Sequence, residues 1–214
     1  MTSRNSFFAD LNIAPEKLTD QIWVFPPEKR FEGQTSWWLG CDPEPVLIDC
    51  PPINKINIQL LKELSAGRKA RIILTSREGH GKIKLLQEVF GWPVLVQQQE
   101  AYLLPSIDAL DIFDNEHQTL AGLRLLWTPG PTPGSCVLYA PKPRNVLFCG
   151  RLLIPLNSSS LGIVRNRRTF HWTRQQKSLE KLLKWIPLKA FPSLASGASL
   201  VAIHPKKLMP WTSL

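Results

Sequence analysis

The run Ala70 to Leu74 (A-R-I-I-L), with the loop and the segment that follow it, constrains the fold more than any other part of the chain. A short apolar run that breaks at Thr75 into a polar, glycine-containing loop reads as a buried strand presenting side chains at its carboxyl end. Ile83 to Phe90 (I-K-L-L-Q-E-V-F) predicts a helix and Pro93 to Val96 the next strand. Strand, loop, helix, strand is a βαβ unit, which calls for parallel strands covered by helices. It puts Thr75 to Gly81 (T-S-R-E-G-H-G) at the sheet edge where such folds carry their sites.

The same signals extend in both directions. Ala14 to Leu18 reads as a short helix or turn and Gln21 to Phe25 as a strand stopped by Pro26 and Pro27. Ser36 to Gly40 and Pro45 to Asp49 predict a hairpin, and Lys55 to Ala66 an amphipathic helix closed by Gly67. Thr119 to Thr128 predicts one strand or a pair, Cys136 to Ala140 and Asn145 to Cys149 a second hairpin, Thr173 to Trp185 a helix, and Leu200 to Ile203 a last strand. The chain contains no internal repeat, and 214 residues suit one domain, 1–214, with an exposed basic loop over 157–170.

Composition bounds the partners. Lys and Arg number 26 against 17 Asp and Glu, a net charge of +9, which favours nucleic acid, an anionic surface or an acidic protein. No segment approaches the apolar length of a membrane span, and the first ten residues lack the apolar run of a signal peptide, so a cytoplasmic protein is expected. The four cysteines, Cys41, Cys50, Cys136 and Cys149, are too scattered for a zinc knuckle and are expected to be buried thiols.

Four blocks in order then carry a family resemblance: V-L-I-D ending at Asp49, I-I-L-T ending at Thr75, T-P-G-P-T-P-G-S at Thr128 to Ser135, and L-F-C-G-R at Leu147 to Arg151. With S-G-A at Ser196 to Ala198, they resemble the metallo-β-lactamase-like hydrolases, whose motif T-H-x-H-x-D-H holds a pair of metal ions. The resemblance spans about residues 20 to 200 and implies an α/β (α+β) fold, a four-layer αββα sandwich of two facing sheets with helices outside.

The ligand positions do not carry over. The family's first two His positions fall on Ser76 and Glu78, its Asp on His80 and its third His on Gly81. A slip of one residue puts His80 in the third His position and Gly79 in that of Asp. The remaining positions hold Pro131, Arg151 in place of the bridging Asp, and Ala198. A zinc site needs three or four N, O or S donors, and a two-metal site also needs a bridging group. Pro131, Gly81 and Ala198 offer no side-chain donor, and Arg151 is a permanent cation where dications would sit.

No metal cofactor is therefore expected, the alternative being one zinc, iron or manganese ion on Glu78, His80 and Asp49. Arg151 is expected to pair with Glu78 across the cleft, with Asp49 as the other partner and solvent as the plainest alternative. T-S-R-E-G resembles the loop of a degenerate branch of the family, in which T-H-R-D-D-like residues replace the His motif. The functional expectation is a pseudoenzyme with a binding or scaffolding role, and the alternative an atypical hydrolase with a one-metal or metal-free site.

Ser76, Glu78 and His80 lie within five residues on one loop, which suits polar loop residues better than a triad assembled from separate elements. Cys149 would have a lowered thiol pKa if it faced Arg151. A third functional reading is nucleic-acid binding through Arg165, Arg167, Arg168, Arg174, Lys177, Lys181 and Lys184, interleaved with Phe170, His171 and Trp172. A solvated helix face after a flexible loop explains the same residues more simply. Trp37, Trp38 and the C-terminal K-K-L-M-P-W-T-S-L would mark a protein contact if exposed.

Overall fold

A computed structural model describes residues 14–27, 34–104, 107–198 and 207–214. Two sheets face each other. The first runs in chain order through β1 (Glu16–Lys17), β2 (Ile22–Phe25), β3 (Ser36–Leu39), β4 (Val46–Ile48), β5 (Arg71–Leu74), β6 (Val94–Gln97) and β7 (Leu110–Phe113). Its first four strands pair antiparallel and β4 to β7 pair parallel. The helices α1 (Lys55–Ser65) and α2 (Ile83–Phe90) make the crossovers between the parallel strands, as the βαβ pattern requires, and a short α3 (Gln98–Ala101) follows β6.

The second sheet has the order β14 (Ser193–Ala195), β11 (Val146–Phe148), β10 (Cys136–Ala140), β9 (Arg124–Trp127) and β8 (Glu116–Gln118), and α4 (Trp172–Trp185) precedes its last strand. A small hairpin, β12 (Ile154–Pro155) with β13 (Leu161–Gly162), stands apart from both sheets.

Side-chain alternation explains the layers. In β5, Ile73 points into the core between the sheets, while Ile72 and Leu74 join Leu61, Ile83 and Leu86 under α1 and α2. In β10, Leu138 faces the inter-sheet core, and Val137 and Tyr139 meet Leu182 and Ile186 of α4. The central strands of both sheets are thus buried on two faces, which accounts for their near-continuous apolar runs. Each fully buried Leu or Ile contributes about 1.5 to 3 kcal/mol. The architecture is the αββα sandwich that the resemblance implies.

Several expectations change. Ala14 to Leu18 contains the strand β1 rather than a helix, and Thr119 to Thr128 yields only β9, because Thr119 to Gly122 forms a turn closed by Gly122 N–H to Thr119 O at 2.9 Å. Trp37 and Trp38 are buried on opposite faces of β3 and mark no contact surface. Trp37 lies edge-on to Phe148 of the opposite sheet at 5.8 Å, and Trp38 lies 5.9 Å from Trp92. Trp211, in the C-terminal segment, packs half-buried against the α4 layer. The strand expected at Leu200–Ile203 lies outside the described residues.

The 157–170 segment is part hairpin and part coil. Asn157 to Ser159 and Arg165 to Arg168 are exposed, while Leu161 is buried. Among the described residues, no helix is long and apolar enough to cross a membrane.

Candidate functional site

Register brings the site together. Ile48 pairs with Ile73 in parallel, so Asp49 and Thr75 leave their strands side by side. Phe148 pairs with Ala195 in parallel, so Gly150 and Arg151 leave beside Ser196 to Ala198. The two edges are tied where the Cys136 N–H donates to Thr75 O at 2.9 Å.

Asp49 is the hub. It is fully buried, at φ 59, where an aspartate is tolerated better than most residues. Its Oδ1 accepts from the Thr75 N–H at 2.8 Å, and its Oδ2 accepts from the Thr75 hydroxyl at 2.7 Å and from Gln34 Nε2. Gln34 Nε2 also reaches Thr75 Oγ1 at 3.0 Å. A Cβ on Gly79 would lie 2.1 Å from Asp49 Oδ1, so only glycine lets the loop close over the carboxylate. Burial pushes the Asp49 carboxyl up to about 6, against hydrogen bonds from Thr75 and Gln34 and the field of Arg151, which lower it. With three donors on its two oxygens, Asp49 braces the loop.

Arg151 and Glu78 pair at 2.7 Å between Nη1 and Oε2, with about a quarter of each side chain exposed. This is the expected cross-cleft pair, and the field of Arg151 also reaches Asp49, lowering its pKa. The other motif positions scatter. Ser76 is buried, and its Oγ meets no hydrogen-bond partner among the described residues. His80 donates from Nδ1 to Gly81 O at 2.7 Å. Pro131 is buried and gives its carbonyl to the Phe170 N–H at 3.2 Å. Ala198 is half-buried and gives its carbonyl to the Thr35 hydroxyl at 2.8 Å.

The donor set does not fit a metal centre. No group of three or more His, Cys, Asp or Glu among the described residues is arranged to hold an ion. Arg151 adds an electrostatic objection: its guanidinium repels a dication and already holds the Glu78 carboxylate.

Glu100 escaped the sequence reading. It is fully buried on α3 and joins two loops: Oε1 accepts from the Thr132 hydroxyl and from the Gly134 N–H at 2.8 Å, and Oε2 accepts from the Arg77 N–H at 3.2 Å. A carboxylate in Q-Q-Q-E-A carries no pattern that separates it from a surface residue. Gln34, at the edge of a charged turn, is equally silent.

Cys149 corrects an expectation. Its thiol is fully buried and donates to Leu147 O at 3.4 Å, and burial raises its pKa rather than lowering it toward a reactive thiolate. All four cysteines are buried and free.

Compared with solved structures, the chain is similar to a metallo-β-lactamase from Pontibacter korlensis, with 17% identity over 93% of this chain and 94% of that one and a TM-score of 0.70. It is similar to VMB-1 at 16% identity, covering 93% and 91%, with a TM-score of 0.71. It is also similar to TTHA1623, solved in a di-iron-bound form, at 21% identity, covering 86% and 91%, with a TM-score of 0.59. No protein-family model and no curated protein matches the sequence. The chain has the metallo-β-lactamase fold, in which strand-end loops meet between the two sheets. Within that fold, this chain fills the meeting point with an arginine, a glutamate and a buried aspartate.

Proposed function

We propose that this protein is a non-catalytic form of the metallo-β-lactamase fold, a pseudoenzyme kept for binding or scaffolding and using no metal cofactor. The carrying observation is the Arg151 guanidinium paired with Glu78 where the resemblance puts the bridging aspartate. An internal cation satisfies the acidic side of the cleft, so the fold needs no ion there. The one-metal hydrolase is the weaker reading. Of its three ligands, Asp49 is buried and already accepts three hydrogen bonds and Glu78 is held by Arg151, which leaves His80. A cytoplasmic location belongs to the same proposal and is supported by four unpaired, buried thiols, which suit a reducing compartment.

Elemental analysis of the purified full chain tests the reading. Zinc, iron and manganese are expected far below one ion per chain, unchanged in a Glu78→Ala, His80→Ala double variant. Stoichiometric metal that disappears in that variant would overturn the proposal and favour the hydrolase.

A further inference from the structure

The cleft leaves unexplained a run of exposed cations in and before α4. Arg165, Arg167 and Arg168 are exposed in the coil before α4, and Arg174, Lys177, Lys181 and Lys184 are exposed on α4. Between residues 165 and 187 the single acidic residue is Glu180. Among the described residues, none of these seven cations forms an ion pair. Lys181 Nζ makes one long contact, 3.4 Å to Trp127 O.

Geometry turns the charge into a row. Spacings of three and four residues put the four helical cations within one quadrant of α4, at intervals of about 4.5 to 6 Å and over about 15 Å in all. The arginine coil leads into the amino end of α4. It is anchored there, because the Phe170 and His171 N–H groups donate to Pro131 O at 3.2 Å and Gly130 O at 3.0 Å. The row therefore ends against the Pro131 loop. Phe170 is 48% exposed at that end, its ring 6.3 Å from the His171 ring.

We infer that the α4 row and the coil before it bind single-stranded nucleic acid, phosphates lying along the cations and a base stacking on Phe170. The inference rests on the binding role proposed above and deepens it by naming the ligand class. A row of unpaired cations suits a polymer that carries a phosphate at every step of its strand. The aromatic selects the single strand, because bases in a duplex bury the faces that Phe170 would stack on. An acidic protein fits less well, since lysine is depleted from the centres of protein interfaces. An anionic membrane fits less well too: the apolar side of α4, with Leu182 and Ile186, is already spent on the core and cannot enter lipid.

The test uses the full chain and a fluorescent oligouridine of about 15 nucleotides, read by anisotropy across a salt series. The plot of log K against log salt is expected to have a slope of about −3 to −4, from roughly five phosphate contacts at about 0.7 each. The variant Lys177→Glu, Lys181→Glu, Lys184→Glu should lose about tenfold or more in affinity. A control on the opposite layer, Lys55→Glu, Lys62→Glu, Lys84→Glu, carries the same net charge and should bind nearly as well as the parent. Phe170→Ala should lose about fivefold or more with the salt slope unchanged.

Equal losses in the two triple variants would reduce the effect to net charge and overturn the inference. So would duplex bound as tightly as single strand, or binding to phosphatidylserine vesicles without binding to the oligonucleotide. Metal content reports on the pseudoenzyme reading and oligonucleotide affinity on this one, so the two fail separately.

Discussion

Asp49 shows how a single buried carboxyl couples the cleft to pH. Its native pKa is raised to about 6 from an ordinary 3.8, so the native state holds a proton that the unfolded chain has already released. The stability this provides is complete below pH about 3.8 and is lost as pH rises through about 6. The shift corresponds to about 3 kcal/mol at 1.36 kcal/mol per pKa unit. Urea unfolding from pH 4 to 7 should show this fall in the parent, and the difference from Asp49→Asn, which cannot titrate, should isolate it. Arg151 and Glu78 pose a different question, because both are partly exposed and solvent screens them. A double-mutant cycle with Arg151→Ala and Glu78→Ala should give a coupling of about 1 kcal/mol, near the upper end for exposed pairs. Coupling indistinguishable from zero would mean that the pair does not stabilise the fold. The pair was legible in the sequence because opposite charges stand in two blocks that the resemblance brings to one cleft. Gln34 and Glu100 were not, because only contact in space distinguishes them from other polar residues.

At the scale of elements, the loop between β9 and β10 joins the cleft to α4. Gly130 sits at φ 144, and a Cβ there would lie 2.4 Å from Gln175 Cα, with Ser178 Oγ donating to Pro129 O at 2.7 Å nearby. Gly130→Ala should therefore push α4 off the loop and cost about 1 to 3 kcal/mol, measured as a lowered urea midpoint. Unchanged stability would mean that the helix shifts without cost, and that Pro131 and the basic coil are not held in register. The long elements were legible because α1, α2 and α4 bury one face and β3 to β6 bury both. The strands β7 and β8 were not: most of their residues are half-buried or exposed, so they carry no apolar periodicity and owe their form to neighbouring strands.

For the molecule as a whole, the two proposals divide the surface between them. The Arg151–Glu78 pair occupies the cleft, and the row of cations on α4 lies in the opposite helical layer from α1 and α2, with the coil before it tied to the Pro131 loop through the Phe170 and His171 N–H groups. A net charge of +9 cannot reveal that division, because composition has no direction.

The sequence by itself determined the αββα layering, through apolar runs in βαβ order and four motif blocks. It also determined that Pro131, Gly81 and Ala198 supply no side-chain donor, whatever the fold does. Only the tertiary structure decided what the other residues do. Burial turned Asp49 into a brace with a raised pKa and Cys149 into an inert thiol, and register brought Arg151 within 2.7 Å of Glu78. Proximity and desolvation arise from chain segments far apart in sequence, and no local pattern encodes either.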